Sequence, residues 1–160
     1  MNLTQIEAEQ LIDLKKYCVS KIIVEFPYQG EEIEIELQNE TGRIRFIADI
    51  NNTNEIVKKA TLQLRYKKIF ALRRLDFNGN HKNPPENAPD PIFKGYENYV
   101  FQREDHVHFY MEDFGERWAL PLSCLPEIGI TENDDLFEKM EKFFKYCNVE
   151  ELKVRKLLEL

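Results

Sequence analysis

All three histidines of this chain fall between residues 81 and 108, and two of them form His106-Val107-His108. That tripeptide opens the run His106-Val107-His108-Phe109-Tyr110-Met111-Glu112. Alternation along a strand sends Val107, Phe109 and Met111 to one face and His106, His108, Tyr110 and Glu112 to the other. The first face suits a core. The second gathers two imidazoles, a phenol and a carboxylate on a rigid element, the groups used in acid–base catalysis and metal binding. Side chains two apart on a strand have Cα atoms roughly 7 Å apart, close enough to share a metal ion or a phosphate. The plain alternative is two histidines on a solvated sheet face.

Two chemistries use these residues. One is a metal site. His106-x-His108-x3-Glu112 resembles the first half of the cupin metal motif, and such donors suit iron, manganese or zinc. Cupins add a later histidine, whereas no histidine follows His108. The set is therefore His106, His108 and Glu112, or one completed by His81 or Asp76. The other chemistry is metal-independent cleavage of RNA. It needs a base for the 2′-hydroxyl, an acid for the leaving oxygen, and cations for the developing charge. His106, His108 and His81 are the acid–base candidates, with Tyr110 as a hydrogen-bond donor. Arg73, Arg74 and Arg65 are the phosphate holders, because guanidinium grips phosphate in a bidentate fork. This reading needs no cofactor, but it requires the Arg73/Arg74 face and the histidine face to coincide. Asp76 shares parity with Arg74 and either pairs with it, the simpler reading, or orients a histidine.

Charge favours the phosphate reading over the metal. The net charge is -7, yet residues 42–82 hold ten Lys/Arg against Asp49, Glu55 and Asp76, a basic segment inside an acidic protein. Arg43 and Arg45 have a structural reading. If Asn39-Glu40 closes a two-residue hairpin, they face Glu36 and Glu34 across the strands as weak ion pairs. Cys18, Cys124 and Cys147 are odd in number and widely spaced, which supports neither a disulfide framework nor a zinc ribbon and fits a reduced cytoplasmic setting. Cys124 reads as a core residue rather than a nucleophile. No apolar run approaches the ~20 residues of a membrane span, and the N-terminus has no signal-peptide pattern.

The elements that must position these groups follow from periodicity. Thr4 and Glu7 form a capping box for a helix over about 4–18. Ile22/Val24/Phe26, Ile33/Ile35/Leu37 and Ile44/Phe46/Ala48/Ile50 alternate as a three-stranded meander. Residues 55–60 are ambiguous, read as a helical turn. Leu62/Leu64/Tyr66 and the run Ile69–Phe77 are strands, with a phase change near Lys67-Lys68 that calls for a hairpin or a bulge. Residues 79–98 form a long loop rich in Pro, Asn and Gly, a length often tied to function. Tyr99–Gln102 is a short strand. The histidine strand turns through Asp113–Glu116 and returns as Arg117–Leu122, with Trp118 in the core. Helical spacing of Leu136, Met140, Phe143 and Cys147 gives a further helix, and Asn148 with Glu151 caps a last one to about 159. One domain over 1–160 results. Its class is α+β: a mostly antiparallel sheet of about six to eight strands, one N-terminal helix and two C-terminal helices.

The segments Arg74-Leu75-Asp76-Phe77-Asn78-Gly79-Asn80-His81-Lys82-Asn83-Pro84, His106-Val107-His108-Phe109-Tyr110 and Glu116-Arg117-Trp118-Ala119-Leu120-Pro121-Leu122 resemble an uncharacterised family of small bacterial and phage proteins. An Asn-Pro loop before a His-x-His strand is similar, more loosely, to toxins of toxin–antitoxin modules. The resemblance implies a site in the 76–84 loop and the 106–110 strand, and the looser one a cytoplasmic endoribonuclease restrained by a cognate inhibitor. The alternative expectation is a non-enzymatic protein that binds and inhibits another protein, which the acidic Glu31-Glu32/Glu34/Glu36 face would serve.

Overall fold

Period-two alternation dominates residues 31–121, and those segments build one sheet. The computed structural model describes residues 2–54 and 59–156. Helix α1 (Gln5–Asp13) leads into β1 (Tyr17–Cys18), β2 (Val24–Glu25), β3 (Glu31–Gln38), β4 (Arg45–Asn54), β5 (Lys59–Tyr66), β6 (Phe70–Lys82), β7 (Val100–Met111) and β8 (Gly115–Pro121). Helix α2 (Leu136–Tyr146) and β9 (Val154–Arg155) follow. Seven strands lie in the order β1-β3-β4-β5-β6-β7-β8, and each neighbouring pair is antiparallel. The class is α+β with a mostly antiparallel sheet. No described helix is long and apolar enough to cross a membrane.

Register converts alternation into two faces. Ile33, Ile50, Leu62, Leu75, Val107 and Leu120 stand side by side across six strands; the next rung holds Ile35, Ala48, Leu64, Arg73, Phe109 and Trp118. Helix α1 packs here through Ala8, Leu11 and Ile12, and α2 through Met140, Phe143 and Phe144. Each large apolar side chain fully buried there contributes roughly 1.5–3 kcal/mol. Lys16 crosses this layer fully buried, its Nζ donating to the carbonyls of Ile12 (2.8 Å), Leu14 (2.7 Å) and Cys147 (2.9 Å). The opposite face carries the rungs Glu32-Asn51-Thr61-Asp76-His106-Pro121 and Glu34-Asp49-Gln63-Arg74-His108-Ala119.

Several expectations are corrected. Helix α1 stops at Asp13 rather than near residue 18, because Lys16 bridges Val149 and Tyr17–Cys18 join the sheet edge. Of Ile22, Val24 and Phe26 only Phe26 is buried, and β2 pairs in parallel with β9 in a separate two-stranded sheet instead of starting the meander. The helix expected after Asn148 does not form over residues 148–156. Asn148 takes positive φ, and the backbone that follows is engaged by Lys16 and β2. The remainder of that helix, and residues 55–58 of the expected helical turn, lie outside the described residues. The β3–β4 loop is wider than two residues and is held by Asn39 Oδ1, which accepts from Ile44 N at 3.1 Å. Glu34 therefore faces Asp49, and Glu36 faces Ile47, not Arg45 and Arg43. The phase change near Lys67-Lys68 has both expected causes: a turn with positive φ at both lysines, and a register shift that leaves Leu72 unmatched between Arg73 and Ala71. The short strand at 99–102 is the first part of β7.

Candidate functional site

Adjacent rungs of the β6/β7 pair place Asp76 opposite His106 and Arg74 opposite His108. A sheet face away from the helices would ordinarily be wet, yet His106 is 0% and His108 2% exposed. The cover comes from the far ends of the same strands. Register shifts on either side of Gly79 interrupt the β6/β7 ladder. Beyond them the His81 ring lies 4.5 Å from His108 and 5.8 Å from His106, centroid to centroid, and Phe101 lies 4.6 Å from His106. Asn83 locks the arrangement. Its side-chain amide donates to Ala119 O at 2.8 Å and accepts from Ala119 N at 2.9 Å, standing in for a strand rung on the free edge of β8. Gly79 permits the close approach, since a Cβ there would lie 2.7 Å from His106 Cε1.

The ring orientations are set by backbone. His106 Nδ1 lies 2.7 Å from Glu104 O and His108 Nδ1 2.7 Å from Glu116 O. A carbonyl only accepts, so each Nδ1 donates its hydrogen there and each ring turns its Nε2 inward. Both Nε2 atoms converge on Asp76 Oδ2, His108 at 3.3 Å and His106 at 3.6 Å. His106 Nε2 is buried and, among the described residues, has no hydrogen-bond partner within 3.5 Å, with Asp76 Oδ2 just beyond. Arg74 lies against the same atoms, with Nη2 3.0 Å from His108 Nε2 and 3.1 Å from Asp76 Oδ2, while Nη1 donates to Glu116 Oε1 at 2.7 Å. Burial alone would raise the Asp76 carboxyl, but the His106 and His108 imidazoles and the Arg74 guanidinium outweigh it and hold it well below the usual carboxylate range. Burial and the neighbouring His108 push His81 down from the ordinary imidazole value, against the pull of the Arg117 carbonyl that its Nε2 contacts at 2.9 Å.

His81, His106, His108 and Arg74 thus come together, with Asp76 at their centre. The remaining sequence candidates lie elsewhere. A register shift between Phe109 and Met111 turns Tyr110 away from the histidines. Its hydroxyl donates to Leu3 O at 2.8 Å and accepts from Leu3 N at 3.0 Å, anchoring the chain before α1. Glu112 accepts from Gln5 N in the same anchor and is not grouped with the imidazoles. Arg65 is on the histidine face but grips Asp49 through Nε (2.6 Å) and Nη2 (2.8 Å), with Glu34 at 3.2 Å. Arg73 is on the core face, as adjacent strand residues must be, and stacks over Phe109 and Tyr146. Glu116 and Gly79 were missed. The parity of Asp76 with Arg74 was legible, but only the β6/β7 register puts it against the histidines.

The donor set fits a metal ion. One donor atom each from Asp76, His106 and His108 lies within 4.8 Å of the others. Bonds of about 2.1 Å at tetrahedral angles space ligand atoms about 3.4 Å apart, between the two observed Nε2–Oδ2 separations. Histidine ligands characteristically donate their other ring N–H to a carbonyl, as both do here.

The chain belongs to a family of unknown function (DUF6978), matched over residues 3–149. Comparison with curated proteins and with solved structures gives no match.

Proposed function

We propose that this protein binds a divalent transition-metal ion through Asp76, His106 and His108, as the centre of a hydrolytic site acting on an anionic substrate. One observation carries the reading: a fully buried imidazole nitrogen without a partner, aimed at a carboxylate oxygen 3.6 Å away. A buried polar atom left unpaired costs about 1–3 kcal/mol, and an ion between these atoms removes that cost. Zinc, iron(II) and manganese all accept two imidazoles and a carboxylate. Bound there, the ion would supply Lewis acidity and an acidified water. The chain's own residues do the rest. Glu104 O and Glu116 O fix the rings. Arg74 pairs with Asp76 and with Glu116, and beside a bound ion it would keep Glu116 as its anchor and offer a cation to a substrate oxygen. His81, part-exposed at the rim, is the group placed to move a proton.

The test is calorimetric titration of chelator-treated protein with Zn²⁺, Mn²⁺ and, without oxygen, Fe²⁺. One ion per chain with a raised Tm is expected in the wild type, and loss of both in folded Asp76→Asn and His106→Ala. Folded wild type that takes up no ion, or variants that bind like wild type, would overturn it.

Metal-independent RNA cleavage, toxin-like in the sense of the sequence resemblance, is the second reading. It is favoured by one observation, that Arg74 shares the face of all three histidines. His81 is then the base that a 2′-hydroxyl can reach, since His106 and His108 are buried. Cleavage of total bacterial RNA in EDTA by wild type and not by His81→Ala would support this reading over the metal centre.

A further inference from the structure

The opposite side of the sheet holds a second candidate site, independent of the metal proposal. A cavity of 630 Å³ opens between α1, α2 and the segments around Ile92 and Cys124. Its walls include Leu72, Phe109, Met111 and Leu120, an apolar surface, and Arg73. Arg73 is a part-buried arginine that the fold has not neutralised. Among the described residues it makes no ion pair and no hydrogen bond, and two aromatic rings hold it, with Cζ 4.5 Å from the Tyr146 centroid and 5.2 Å from that of Phe109. None of its nitrogens is among the described polar atoms that are both buried and unpartnered, so its donors open toward the cavity. Five other arginines, Arg45, Arg65, Arg74, Arg117 and Arg155, donate to an oxygen.

A pocket with an apolar wall and one fixed guanidinium without a protein partner is the form of a small-molecule anion site. Stacking between rings fixes the planar fork and lowers the entropy lost when it grips an oxyanion. Glu9, Asp13, Asp90 and Glu127 also line the cavity, so its field repels polyanions. We propose that this cavity binds a small organic anion, an apolar body carrying a single carboxylate or phosphate monoester group, with the anionic group on Arg73 and the body against Phe109, Met111 and Leu120. Nucleic acid is the wrong ligand here, which separates Arg73 from the role that the sequence suggests for it.

The test uses full-length protein and a charge series: 3-phenylpropionate, phenyl phosphate, 3-phenylpropanol, 3-phenylpropylamine and inorganic phosphate, each titrated while backbone amide NMR signals are followed. The two phenyl-bearing anions are expected to shift Phe109, Met111, Leu120 and Tyr146 at millimolar concentration, and the stronger of them separates carboxylate from phosphate ester. Arg73→Gln is expected to weaken both about tenfold or more, the loss of a charge-assisted pair. Equal binding of the alcohol or amine in the wild type, a test needing no variant, would overturn the proposal, as would absence of shifts with either anion or undiminished binding by folded Arg73→Gln.

Discussion

Gly79→Ala should destabilise the protein although alanine is the better residue for a strand. Gly79 is not among the residues with positive φ, so its backbone suits any side chain. On that ground alone the change would stabilise by about 0.4–1 kcal/mol through the unfolded chain. The added Cβ, however, would lie 2.7 Å from His106 Cε1 and 3.2 Å from Asp76 Cβ. Carbon atoms in contact prefer about 3.5–4.0 Å, so one side must retreat by roughly 0.8 Å. His106 has nowhere to go. It is fully buried, its Nδ1 is held 2.7 Å from Glu104 O, and Phe101, His81 and His108 surround the ring. Overpacking of this kind costs about 1–3 kcal/mol. The net expectation is a loss of about 1–2 kcal/mol, read by urea unfolding at unchanged m-value, and a Tm lower by about 2–8 °C. A double-mutant cycle isolates the contact. In a His106→Ala background Cε1 is gone, and Gly79→Ala should become neutral or stabilising, a coupling of at least about 1 kcal/mol. Equal penalties in both backgrounds, or no penalty in the wild type, would show that Gly79 does not set the approach of β6 to His106.

Arg74→Met should raise Zn²⁺ affinity in calorimetry, because the guanidinium competes for His108 Nε2 and Asp76 Oδ2; unchanged or weaker binding would remove Arg74 as the resident cation. Asn83→Ala should cost about 2–4 kcal/mol in urea unfolding, since it strips two hydrogen bonds from the buried Ala119 amide and carbonyl. Lys16→Met should destabilise by about 3 kcal/mol, leaving the Ile12, Leu14 and Cys147 carbonyls short of donors. Stability should also respond to alkaline pH. Burial lowers Lys16 to about 8 from 10.5, so between those values the unfolded chain binds the extra proton and stability rises with pH, by about 1 kcal/mol from pH 8 to 9. Burial raises Cys147 to about 11 from 9, so above pH 9 its unfolded thiolate opposes that gain and the curve flattens. Cys147→Ala should keep rising toward pH 10.5, and a curve that flattens at the same pH would contradict the pairing.

The period-two runs within 31–77 and 106–122 determined an antiparallel sheet, since one face of each had to be buried, whereas the same alternation at Ile22/Val24/Phe26 misplaced β2. The capping box at Thr4 and the 3.6-residue recurrence from Leu136 placed both helices. The same alternation put His106 and His108 on one face, but Arg73 and Arg74, read together as one phosphate-holding face, stand on opposite faces of β6, as neighbours on a strand must. It could not say which groups face the histidines across neighbouring strands, because register depends on loop widths and bulges. The bulge at Tyr110 removed the phenol from the face its parity assigned, and the one at Leu72 set the rung on which Arg73 and Arg74 stand. The Asn39–Ile44 loop moved Glu34 from Arg45 to Asp49, and so gave Arg65 the partners it lacks locally. Helix capping signals at Asn148 lost to strand pairing with Lys16 and β2, a contact more than a hundred residues away along the chain. Burial of the histidines was likewise a tertiary outcome. Neither ring is apolar, and only the returning ends of β6 and β7, with Asn83 fixed to the edge of β8, turn two solvated imidazoles into a buried pair facing Asp76.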